Sequence, residues 1–217
     1  MLKDLTHFII VYNPGYAGNF LARLFSLGTE VLPQIPLSSL NNTQVDSYNT
    51  VQRVELYSFS KVRNSYSNWQ KFHKKWLDFL HYDNMDTMSY TEDYTHVMFA
   101  MHAPELELYS SKIQTIEKVN YFYVDLDLVK YGSWLETTKQ DLNFKYRVDE
   151  NLEYASLLNQ SNPNQRINLT AMLDSRDEFL QEYRRICAIM NITPMEESAV
   201  LLYDGWYDTR VTYYSNT

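Results

Sequence analysis

Residues 7 to 28 read HFIIVYNPGYAGNFLARLFSLG, and they constrain the fold more than any other stretch. A run of β-branched and aromatic residues passes through a short segment with two glycines into an apolar pattern of helical period. Phe20, Leu21, Leu24 and Leu27 share one face of that helix. The run at 7–12 has no polar alternation, which is the pattern of a strand buried on both faces. A strand of that kind needs helices above and below it.

Two further runs have the same character, HVMFAM at 96–101 and VNYFYVD at 119–125. Helical patterns lie between and after them. Trp69, Phe72, Trp76, Phe79 and Leu80 line one helix. Near the end, Ser175 and Glu178 have capping-box spacing, followed by an apolar stripe from Phe179 to Met190 that includes Cys187. Thr193, Pro194 and Glu196 repeat that device for a last helix, whose end carries Trp206 as a core anchor. Apolar strands separated by helices pair in parallel through crossovers, so the expected class is α/β, a three-layer sandwich with a central, mostly parallel sheet. Segment 29–65 reads as irregular or lid-like and NQSNPNQ at 159–165 as a turn-rich loop. Neither marks a boundary, and a single domain over 1–217 is expected.

The net charge of −8 argues against a nucleic-acid polymer or an anionic membrane as partner, because both need clustered cations. No apolar run is long enough for a bilayer span. Cys187 is the only cysteine, so an intrachain disulfide is ruled out; a small core residue and a cytoplasmic location are the expectation. The five histidines show no zinc spacing.

A strand, a short glycine-containing loop and a helix N-terminus gather main-chain N–H groups and the positive end of a helix dipole at one point, which is the geometry that binds phosphate or sulfate. Gly15 and Gly18 supply backbone freedom, and Asn19 a side-chain donor. A tight connection with no ligand competes with that reading. Neither GxxxxGK followed by Ser or Thr nor GxGxxG is present.

The stretch PGYAGNFL, 14–21, resembles the phosphosulfate loop of the P-loop sulfotransferase family, P-K-x-G-T-T-W-L. Pro14 fits the proline, and Phe20 and Leu21 the apolar pair. Gly15 stands at the lysine, Tyr16 at the variable position, Ala17 at the glycine, and Gly18 and Asn19 at the two hydroxyl residues. FAMHAPEL, 99–106, is similar to the family's K-T-H-L-P segment, with His102 and Pro104 in register. The resemblance implies that residues 15–20 cradle 3′-phosphoadenosine 5′-phosphosulfate and that His102 takes the proton from an acceptor hydroxyl. It also implies that Ser133, eight residues after Asp125, touches the 3′-phosphate. Asp125 occupies the place of the family's arginine, and a carboxylate there repels a phosphate by about 4 kcal/mol at 4 Å and intermediate dielectric. Lys130 and Lys139 are the nearby cations in sequence; Arg166, Arg184, Arg185 and Arg210 are the remaining candidates for anion contacts.

The implied activity is sulfuryl transfer to a small-molecule or glycan hydroxyl. A second expectation keeps the P-loop fold without the chemistry, as a binding or interaction protein, with a viral source one option. A kinase with an altered loop is a third.

Overall fold

The computed structural model describes residues 5–13, 15–28, 30–32, 95–114, 116–141 and 148–207. The helix expected around Trp69, most of segment 29–65, and Arg210 lie outside the described residues.

Among the described residues, five strands form one sheet, β1 (Thr6–Tyr12), β2 (Val31–Leu32), β3 (His96–His102), β4 (Val119–Asp125) and β5 (Arg166–Asn168), in the order β2-β3-β1-β4-β5. Every pairing is parallel. Tyr12 lies opposite His102, and Val11 opposite Tyr123. β1 is central, and its residues from His7 onward are buried, which is why its sequence shows no alternation.

The chain leaves β1 through α1 (Gly18–Phe25), crosses β3 and enters β2; it leaves β3 through α2 (Ala103–Ile113), crosses β1 and enters β4. These crossovers run in opposite directions, so the right-handed rule sends α1 and α2 to opposite faces. After β4 come α3 (Leu128–Asp141) and α4 (Val148–Gln160). After β5 come α5 (Leu169–Asp174), α6 (Arg176–Met190) and α7 (Glu196–Tyr207). α7 packs on α1 and on α6, while α4 packs on α2. The result is a three-layer α/β sandwich.

Aromatic stacking binds the α1 layer. Phe20 stacks on Trp206 at 4.1 Å, Phe25 on Tyr183 at 5.8 Å, and Phe179 on Tyr203 at 4.0 Å. Each such pair adds roughly 0.5–1.5 kcal/mol beyond area burial. Tyr183 and Tyr203 therefore serve the core. Cys187 is fully buried there, and burial pushes its thiol up to about 12, so it is inert at neutral pH.

Ser175 caps α6, its hydroxyl accepting from the Glu178 amide at 3.2 Å. The device expected at Thr193 is not used. α7 starts at Glu196, the Ala199 amide donates to the Met195 carbonyl, and the Met195 amide donates to the Tyr183 hydroxyl. Glu196 turns instead to the Arg184 guanidinium. Tertiary partners have moved that helix start by two residues.

Candidate functional site

The connection from β1 to α1 begins as a tight turn. The Tyr16 amide donates to the Asn13 carbonyl at 3.0 Å, and Gly15 has φ 91°, the conformation that favours glycine at the third position of such a turn. Ala17, the N-cap of α1, is also left-handed, at φ 53° and ψ 26°. The next residue, Gly18, is already helical. A left-handed residue followed directly by right-handed ones turns successive N–H groups to one side and forms an anion-binding concavity. Ala17 has no side-chain oxygen to cap the first turn of α1, where amides have no intrahelical acceptor.

The side chains of this loop point elsewhere. Tyr16 is buried, with its ring edge-on to Tyr154 at 5.7 Å. Phe20 is buried under Trp206. Whatever part Tyr16 and Phe20 take in binding, they take it through the main chain. Gly18 is needed for a different reason from the one its spacing suggested: a Cβ there would lie 2.1 Å from the Tyr12 ring. The ring lies flush against the start of α1, and only glycine admits it.

His102 ends β3, and Ala103 opens α2, so the imidazole lies at the carboxyl edge of the sheet. Its ring meets Tyr12 edge-on at 4.6 Å. Tyr12 therefore brings together Gly18 and His102, two of the residues singled out from sequence. Burial lowers the His102 pKa to about 4, so the ring is neutral and able to accept a proton at pH 7. A general base is most effective with a pKa near the operating pH, and His102 lies below that.

Two of the candidate cations, Arg166 and Arg185, lie with acidic residues at the β4–β5 edge. Asp125, Asp127, Arg166, Asn168, Glu182 and Arg185 line an open cleft of about 630 Å³. Its guanidiniums are held by the protein. Arg185 donates to both oxygens of Glu182, each at 2.7 Å, and also to the Arg166 carbonyl. Arg166 donates through Nε to the Ser161 hydroxyl at 3.1 Å and through Nη2 to the Ser161 carbonyl. Glu182, nearly buried, also accepts from the Asn168 amide at 2.7 Å. Outside the cleft, Arg184 makes a two-pronged bond to Glu196 at 2.6 and 2.7 Å.

Asp127 is the N-terminal acceptor of α3, taking the Val129 and Lys130 amides at 2.8 and 3.2 Å. Lys130 pairs with Asp174, which also accepts from the Tyr131 hydroxyl, so Lys130 is engaged away from Asp125. Ser133 is exposed one turn along α3 from Lys130. Among the described residues, no group of three or more His, Cys, Asp or Glu is arranged to hold a metal.

Sequence reasoning missed Tyr12 and Tyr154, which pack the loop from two sides. Tyr12 was read only as the end of a strand, and Tyr154 lies in a helix whose apolar pattern is weak. No helix among the described residues is long and apolar enough to cross a membrane. Compared with known proteins, the chain matches no family model, no curated protein and no solved structure.

Proposed function

We propose that the chain is a P-loop sulfotransferase-like protein. The main-chain amides of residues 15–20 hold the phosphosulfate of a nucleotide donor, 3′-phosphoadenosine 5′-phosphosulfate in the form the resemblance implies. His102 receives the proton of an acceptor hydroxyl on a small molecule or glycan. The observation that carries this reading is the left-handed backbone at Gly15 and Ala17, running straight into α1 at the carboxyl edge of a parallel sheet. Ligands of open α/β sheets bind at that edge. His102 lies on the adjacent strand, across Tyr12 from Gly18.

In the transfer, the acceptor oxygen forms a bond to sulfur as the sulfur–oxygen bond to the donor phosphate breaks. The acceptor proton passes to the neutral imidazole, and 3′-phosphoadenosine 5′-phosphate leaves. Positioning and donors aimed at developing charge carry most of such a step, so a weak base at His102 is compatible with slow turnover. A reducing, cytoplasmic compartment belongs to the same reading, supported by the single buried thiol.

A second reading, binding or interaction without turnover, is favoured by the engagement of Arg166, Arg184, Arg185 and Lys130 with protein partners and by the carboxylate of Asp125 at the end of β4. Calorimetric titration with 3′-phosphoadenosine 5′-phosphate, repeated with ATP, separates the two. Binding of the first alone, with turnover abolished in His102→Ala, supports the transferase. Absence of binding by either at millimolar concentration leaves the interaction protein.

A further inference from the structure

Pairing between β1 and β4 runs from His7 opposite Val119 to Val11 opposite Tyr123, although β4 continues to Asp125. Beyond Tyr12 the chain turns away towards α1, while β4 leads to the other side of the sheet order. Strands whose connections diverge in this way leave a crevice between their carboxyl ends. The hydroxyl of Tyr154, from α4, sits there. It lies 2.6 Å from the Val124 carbonyl and 3.0 Å from the Val11 carbonyl, and its single proton is shared between them. Tyr154 is 3% exposed. Burial raises its pKa, so at neutral pH the hydroxyl is protonated and donates.

The other side of the same ring faces the loop. Tyr16, the residue flanked by the two left-handed positions Gly15 and Ala17, packs edge-on against it. A left-handed conformation is unfavourable for Ala17, which carries a Cβ, and it persists only where the surroundings over-determine it. Gly15 is set by the turn that closes on Asn13, and Gly18 by the Tyr12 ring. Tyr154 supplies the third constraint, on Tyr16.

We propose that Tyr154 is the positioning residue of the β1–α1 loop: its hydroxyl ties the last carbonyls of β1 and β4, and its ring fixes Tyr16 so that the amides of 17–19 converge. The value of this for binding rests on the oxyanion reading above. The positioning itself is a property of the ligand-free protein, so the two can fail separately.

The test is residue-resolved amide hydrogen exchange on the full, ligand-free chain, with Tyr154→Phe against the parent. That variant keeps the ring and removes the hydroxyl. The expected result is exchange faster by about tenfold at the hydrogen-bonded amides of the loop, Tyr16 and Leu21, as for a local opening, with the amides of α6 unchanged. Unchanged exchange in the loop overturns the proposal, and so does an equal rise in the loop and α6, which would mark Tyr154 as general core. If Tyr154→Phe does not fold, Tyr16→Leu removes the ring contact from the loop side and leaves both carbonyl bonds; loop-confined acceleration is again required.

A parallel titration with 3′-phosphoadenosine 5′-phosphate, at a temperature where both proteins are folded, should show about tenfold weaker binding in Tyr154→Phe, because misdirected amides lose charge-assisted bonds. Parent protein that does not bind this ligand removes the oxyanion reading, while the exchange result still decides the role of Tyr154.

Discussion

The β1–α1 loop and the β4–β5 cleft are both polar features of the carboxyl half of one sheet, yet they are built from opposite materials. The loop is shaped by rings: Tyr12 against Gly18, Tyr154 against Tyr16, and Trp206 over Phe20. The cleft is dense in charge, and its guanidiniums already answer to Glu182, Ser161 and main-chain carbonyls. Charge beside a cavity is therefore not by itself evidence of a binding site. A half-buried ion pair that also satisfies a strand end, as Glu182 does for the Asn168 amide, is first a structural element.

The largest test of this division is Gly18→Ala. With 2.1 Å between the new Cβ and the Tyr12 ring, overpacking should cost about 3 kcal/mol in denaturant titration and abolish oxyanion binding. A variant of parental stability would show that Tyr12 swings away easily and that the loop is not shaped by it.

Arg185→Ala should act on stability alone. It leaves the nearly buried Glu182 short of its partner, for a loss of about 2 kcal/mol after allowing for the partial exposure of Arg185. Affinity for 3′-phosphoadenosine 5′-phosphate should be unchanged; a tenfold loss would place the cleft inside the binding site and break the comparison.

Acid should weaken the His102 side of the sheet. Its folded pKa of about 4 lies below the ordinary value of 6.5, so the unfolded chain binds more protons between these values. Stability is complete above pH 6.5 and falls as the pH drops towards 4, by about 1 kcal/mol or more between pH 7 and 5. His7, also lowered to about 4 by burial, adds a loss of the same sign. Denaturant midpoints across this range should show a shallower slope in His102→Gln; an identical slope would mean that the ring is hydrated.

The smallest effect is expected at Arg184→Ala, whose partner Glu196 is on the surface. No measurable change in thermal midpoint or affinity should follow.

The three long strands were legible because burial on both faces leaves uninterrupted runs such as FIIV and VMFAM, with observed limits within a residue or two of those expected. The α6 start was legible because Ser175 caps it through a local bond. β5 was not, since three residues, Arg166–Asn168, carry too little pattern, and its place is set by Val124 beside it and by Glu182 from α6. At the candidate site, the glycines and His102 stood out by spacing. Tyr12 and Tyr154 act through contacts between elements distant in sequence, and no local pattern reports such contacts. The same holds for Arg185, a candidate for anion contacts by its charge, whose guanidinium reaches back to the Arg166 carbonyl.

The Phe20–Trp206 stack joins the first helix to the last. Domains emerge from the ribosome N-terminus first. The first strand and its turn are thus synthesised well before the indole that clamps the turn's helix. Until residue 206 has been made the nascent chain carries an unclamped α1, and ribosome-bound chains halted before residue 206 should be cut by protease around residues 15–20 where the released protein resists.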